Sequence, residues 1–146
     1  MLVPSNRIFY AIEAVLVIAY HSKSGAVASR DVAERQGLPP RYLEPILQKM
    51  VRAGILKSVR GPQGGYILGR ERRRITLADI AAVLEPDDAL PPAATPLGEL
   101  ILQPTLHTLQ TAWKKNMEHI TLADLCAKAT AANISSETEP HSDFTI

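Results

Sequence analysis

Residues 38–69 read LPPRYLEPILQKMVRAGILKSVRGPQGGYILG, and the order of signals in this stretch decides the fold. The pair Pro39-Pro40 opens a helix, because proline is tolerated at the first helical position, where its missing N–H would be unpaired anyway. Leu43, Ile46, Leu47, Met50 and Val51 then recur at helical spacing and predict a buried stripe. Arg41, Tyr42, Glu44, Pro45, Gln48, Lys49 and Arg52 fall on the other sides. Pro45 removes the N–H that would bond back to Arg41, so the helix is expected to bend near its start without ending there. Gly54 closes it. Residues 55–60 alternate as a half-buried strand, residues 66–68 return, and Gly61-Pro62-Gln63-Gly64-Gly65 between them predicts a projecting turn. A helix followed by a basic β-hairpin is the layout of a winged helix-turn-helix.

Upstream, residues 6–21 carry Ile8, Phe9, Ile12, Val15, Leu16 and Ala19 on an amphipathic helix that Ser5 or Asn6 can cap. Arg7 in its first turn suits a phosphate contact or plain solvation. Ser29 is the expected N-cap of a short second helix with Asp31 in the first turn, where the macrodipole favours an anion. Gly37 suits its left-handed end. The second and third helices then form a helix-turn-helix.

Downstream, Ile75-Thr76-Leu77-Ala78-Asp79-Ile80 recurs as Ile120-Thr121-Leu122-Ala123-Asp124-Leu125. Each copy reads as a capping box with a hydrophobic staple, and predicts helices near 77–85 and 122–131. Residues 85–96 (EPDDALPPAATP) form a proline-rich acidic linker. Residues 97–117 then read as a longer helix with Leu97, Leu100, Ile101, Leu106 and Trp113 inclined to one broad face, and Pro104 either kinks it or marks its start. Such a face is expected to be covered by a second copy of the chain. The fold class is mainly α with a small β-hairpin. The division is 1–84 as a winged helix-turn-helix domain, 85–96 as linker, 97–132 as dimerisation helix and short following helix, and 133–146 as a loose tail.

The chain is 46% hydrophobic and 21% charged, ordinary for a globular protein. Its longest apolar run, interrupted at Glu13, falls short of the roughly 20 residues that span a bilayer, so neither a membrane segment nor a signal peptide is expected. A single cysteine, Cys126, excludes an internal disulfide framework and fits a reducing, cytoplasmic setting. The net charge of +1 conceals a division. Residues 30–74 hold eleven Lys and Arg against four acids, a balance of +7, whereas residues 75–146 hold three against ten, a balance of −7. The cations therefore gather on the helix and hairpin, which points to a polyanion partner. Backbone amides of Gly61, Gly64 and Gly65, with no side chains in the way, suit close approach to a phosphate or groove wall, with Arg60 beside them and the cluster Arg70, Arg72, Arg73 and Arg74 behind. No Gly-rich phosphate loop opens a helix, no nucleophile elbow occurs, and His21, His107, His119 and His141 are scattered, so an enzyme is not expected.

The wing Ser58-Val59-Arg60-Gly61-Pro62-Gln63-Gly64-Gly65-Tyr66, the helix opening Arg41-Tyr42-Leu43-Glu44 and the following ITLADI motif resemble the Rrf2 family of bacterial transcription regulators over residues 6–84. The resemblance implies a winged-helix homodimer on a pseudo-palindromic operator in double-stranded DNA, with the third helix in the major groove and the wing in the minor groove. It implies contacts by Tyr42, Glu44, Arg60, Gly61, Pro62, Gly64 and Gly65. Glu44 suits a cytosine amino group, Arg60 a narrow minor groove, and Arg41 and Lys49 phosphates, with Gln48 on the same face. A homodimer through residues 97–118, acting as a repressor, follows from the same resemblance. The family's best-known members sense through an iron–sulfur cluster held by three cysteines. Residues 85–106 contain none, and one thiolate cannot supply such a ligand set, so no cofactor is expected. Three alternatives stay open: a mixed site of His107, His21 and acids between subunits, a thiol sensor at Cys126, and a winged helix serving a protein partner.

Overall fold

Ser5 starts the first helix by accepting from the Ile8 N–H at 3.3 Å, which satisfies one of the donors a helix start leaves unpaired. In the computed structural model, which describes residues 5–85 and 89–136, α1 spans Asn6–His21 and buries Ile8, Ala11, Ala14, Val15, Ile18 and Ala19. A short 3-10 turn follows and ends at Gly25, whose φ of +127° a side chain would rarely adopt.

Helix α2 is Ser29–Gln36, capped by Ala28 rather than by Ser29, and with no side-chain cap bond. The reason lies in the preceding residue. Val27 exchanges hydrogen bonds with Tyr66 of the hairpin, at 2.9 Å and 2.8 Å. That bridge holds the chain extended as far as Ala28, so the helix begins one residue before the position its hydroxyl would choose. Gly37 ends it in the left-handed conformation, as expected, with φ +66°.

Helix α3 (Pro40–Arg52) runs continuously through Pro45 and buries Leu43, Ile46, Leu47 and Met50. Gly54 turns the chain into β1 (Leu56–Val59), which pairs antiparallel with β2 (Gly65–Leu68) from Leu56 opposite Leu68 to Val59 opposite Gly65. Val27 lies against Tyr66 as an isolated bridge beside this hairpin.

Helix α4 is Leu77–Leu84, α5 is Gln103–Glu118 and α6 is Leu122–Ala131. One π-helical turn, Gly98–Leu102, leads into α5, with the Gln103 N–H on the Gly98 carbonyl. Pro104 explains it. Its ring crowds the Leu100 carbonyl and it has no N–H to donate there, so the helix widens by one residue, and Pro104 falls in the first turn of α5.

Both capping boxes form, and they form against each other. Thr76 and Thr121 face one another in an antiparallel bridge, with the Leu77 N–H on the Ile120 carbonyl at 3.0 Å and the Leu122 N–H on the Ile75 carbonyl at 2.9 Å. This clasp returns α6 to the first helix. Leu122 and Cys126 consequently share one buried cluster with Ile8, Val15, Ile18, Leu43, Leu47 and Ile80. At the centre, α1 touches α2, α3, α4, α6 and β2. Of the tail, Ile134 and Ser136 are held at the end of α1, their carbonyls accepting from Tyr20 Oη at 2.5 Å and His21 Nδ1 at 3.0 Å. Residues 137–146, and residues 86–88 of the linker, lie outside the described residues.

Candidate nucleic-acid interface

With Leu43, Ile46, Leu47 and Met50 buried, helical geometry leaves Arg41, Tyr42, Glu44, Pro45 and Gln48 on the outer face of α3, all exposed, and Lys49 half-buried at its margin. The hairpin continues this surface. Lys57, Ser58 and Val59 are exposed along β1, followed by Arg60, Gly61, Pro62 and Gln63 at the tip. Helix and wing also meet electrostatically: burial and then the Glu44 carboxylate push the Tyr66 phenol above its ordinary pKa. The Glu44 carboxylate is thus felt at Tyr66, which pairs with Ser58 one step from the turn of the wing.

The wing glycines divide by role. Gly61 has φ +113° and nothing within 4 Å of where a Cβ would lie, so its backbone is open at the tip. The Gly64 N–H is spent inside the turn, donating to the Gly61 carbonyl at 2.9 Å. A Cβ on Gly64 would lie 2.4 Å from the Val59 carbonyl oxygen, and one on Gly65 would lie 2.4 Å from that of Val27. These two residues were expected to offer amides to phosphate. Their missing side chains are what let the turn close and Val27 approach.

The arginine cluster behind the wing is likewise occupied. Arg72 Nη2 donates to the Ala19 carbonyl in the last turn of α1 at 2.5 Å, a favourable place for a cation at a helix C-terminus. Arg70 pairs with Asp79 at 3.6 Å and Arg73 with Glu71 at 2.6 Å. Arg72 thus anchors roughly 14 Å along α1 from Tyr10, which neighbours Tyr42. Of these cations, Arg72 ties its segment to α1, Arg70 pairs with Asp79 at the surface, and Arg73 makes a local exposed pair with Glu71. Arg41, Lys49, Arg52, Lys57 and Arg60 remain on or beside the helix–wing surface.

Cys126 is 3% exposed and belongs to the core. Burial pushes its thiol above the ordinary value, against a smaller downward pull from Arg72 and Lys23. A sensing thiolate needs the opposite, an exposed and electropositive setting, so the thiol-sensor alternative loses its support. His21 is buried at the end of α1, far along the chain from His107, which is exposed on α5.

Two residues were missed in the sequence. Val27, a lone β-branched residue between Gly25 and α2, has no strand pattern around it. Tyr10 lies off the main apolar stripe of α1, yet its ring stands edge-on to Tyr42.

A profile of the Rrf2 family, described as an iron-dependent transcriptional regulator, matches residues 4–128. The chain belongs to the Rrf2 family. Among solved Rrf2-type structures, it is similar to the IscR of T. potens at 34% identity and a TM-score of 0.75, over 91% of this chain and 92% of that one. CymR, the global cysteine regulator of B. subtilis, is similar at 28% identity and a TM-score of 0.73, over 88% of this chain and 98% of that one. The HTH-type transcriptional regulator IscR of Xenorhabdus nematophila is 47% identical over 81 residues, which are 55% of this chain and 49% of that protein. The chain thus spans about half the length of the curated relatives it matches. Rrf2 proteins are transcriptional regulators, not enzymes.

The iron of the family's description finds no matching donor set among the described residues. Iron–sulfur clusters are held by thiolates, and the single cysteine is a core residue whose burial disfavours the thiolate. Among the described residues no group of three His, Cys, Asp or Glu side chains comes together. No helix among them is long and apolar enough to cross a membrane.

Proposed function

We propose that the chain is a DNA-binding transcription regulator acting as a homodimer, with the outer face of α3 in the major groove and the wing in the minor groove of each half-site. The observation that carries this reading is the single surface formed by Arg41, Tyr42, Glu44, Gln48 and Lys49 with Arg60 to Pro62, cationic at its margins and polar at its centre. Arg41 and Lys49 anchor on phosphates, Tyr42 and Glu44 face base edges, and Arg60 enters the minor groove. Gly64 and Gly65 act there by shaping the wing.

The exposed stripe at the start of the long helix supports the dimer. Leu97 is 76% exposed, Leu100 69% and Ile101 62%, an apolar density that water does not favour on a monomer. A second copy of the same stripe would cover it in an isologous contact, and two such reading heads call for an inverted-repeat operator. Repression is the reading that blocking a promoter by such a dimer favours. Its control runs through something other than a thiolate-held cluster, because the donor set does not fit one.

Selection from a random duplex pool tests this. Enrichment of an inverted repeat is expected, with Arg60→Ala weakening its binding by about 1–3 kcal/mol. Failure to enrich any duplex would remove DNA as the partner.

A further inference from the structure

Tyr10 lies on α1, outside the helix-turn-helix, yet it touches both of its helices. Its carbonyl oxygen accepts from Gln36 Nε2 at 3.1 Å, and Gln36 is the last residue of α2. Its ring meets Tyr42 of α3 edge to face, with centroids 6.0 Å apart and planes at 88°. Phe9 packs edge-on against the same Tyr10 ring at 5.9 Å and 75°.

Tyr42 has need of such a neighbour. It is 39% exposed in the first turn of α3, where a tyrosine ring left to itself samples several rotamers. The turn beneath it is short of hydrogen bonds. Pro45 has no N–H to donate, so the Arg41 carbonyl lacks its helical donor. The Tyr42 N–H is retained by the Pro39 carbonyl at 3.0 Å. The side chain is then oriented from outside the helix, by Tyr10.

We propose that Tyr10 is a positioning residue for sequence readout, holding Tyr42 in the orientation that reaches a base edge without itself touching DNA. This rests on the reading that the outer face of α3 enters the major groove. A side chain ordered before binding has less rotamer freedom to lose on binding. Non-specific association runs chiefly through cation–phosphate contacts, which this reading gives to Arg41 and Lys49 and not to Tyr42. Tyr10 therefore acts on the preference for the operator and leaves general DNA affinity alone.

The test compares a selected duplex with a scrambled duplex of equal length, for the full chain and for Tyr10→Phe, Tyr10→Leu, Tyr42→Ala and the double variant Tyr10→Leu/Tyr42→Ala. Tyr10→Phe keeps the ring and is expected to match the parent. Tyr10→Leu is expected to lower the selected-over-scrambled ratio roughly 2- to 10-fold, the range of one aromatic pair, with scrambled affinity unchanged. In the Tyr42→Ala background it should change nothing further. Equal loss on both duplexes, or a further loss of similar size when Tyr10→Leu is added to Tyr42→Ala, would overturn the proposal. A ratio unmoved by Tyr42→Ala would also overturn it, by removing the groove reading beneath it. A readout independent of variant folding is the NMR spectrum of the unaltered protein. Cross-peaks between the two rings and one Tyr42 χ1 rotamer are expected, and rotamer-averaged couplings would refute it.

Discussion

Gly65→Ala separates an architectural wing glycine from one kept for DNA. The added Cβ would lie 2.4 Å from the Val27 carbonyl oxygen, 2.5 Å from its carbon and 2.7 Å from the Ala28 nitrogen, all backbone atoms that cannot swing aside. Relief requires Val27 to move off the hairpin, which breaks the two hydrogen bonds it shares with Tyr66 at 2.9 Å and 2.8 Å. At about 0.5–1.5 kcal/mol each, their loss costs about 1–3 kcal/mol. For a chain of this size that is a fall in Tm of roughly 2–4 °C per kcal/mol. Gly61→Ala is the control: it too has a positive φ, +113°, but its Cβ would meet nothing within 4 Å. Chemical denaturation should place Gly65→Ala well below Gly61→Ala. Amide exchange should become fast at Val27 and Tyr66 in the first variant only. Retained protection at Val27 in Gly65→Ala, or an equal loss of stability in Gly61→Ala, would refute the close-approach argument.

Three further outcomes follow from buried groups. Leu122→Ala should destabilise the whole fold by about 2–5 kcal/mol, because Leu122 is fully buried in the cluster that holds Ile8 and Leu43; an unfolding midpoint unchanged from the parent would show α6 to be independent of the reading head. Cys126 should react with Ellman's reagent far more slowly in the native protein than in urea, its thiol being buried and its pKa raised, and rapid native labelling would contradict its place in the core. His21 has its pKa lowered below 6.5, first by burial, against the Ser136 carbonyl and with help from Arg35. The unfolded chain therefore takes up this proton first as pH falls. Stability present above about pH 6.5 is lost between that value and the lower folded pKa. Urea midpoints at pH 7.5 and 5.5 should differ in that direction, and less so for His21→Gln; an identical difference in both proteins would exclude His21 as the cause.

The sequence by itself determined the elements wherever a local rule held. Helical spacing in residues 40–52, the alternation on either side of the glycine-rich turn and the paired Thr-x-x-Asp boxes each satisfy their hydrogen bonds within a few residues, so they can be read without a partner. The outer face of α3 was legible for the same reason, since naming Leu43, Ile46, Leu47 and Met50 as buried leaves Tyr42, Glu44 and Gln48 outside. Tertiary structure alone decided what depended on an approach between distant segments. Ala28 displaced Ser29 as the cap because Val27 pairs with Tyr66, some forty residues away. Gly64 and Gly65 became packing residues because of the carbonyls their absent side chains would strike. Arg70 paired with Asp79 and Arg72 turned to the Ala19 carbonyl, and Cys126 entered the core because two like-sequenced helix starts clasp one another. Periodicity and capping record what a residue needs from its own helix or strand, whereas each of these outcomes was set by the steric limits and unpaired backbone groups of a segment elsewhere in the chain.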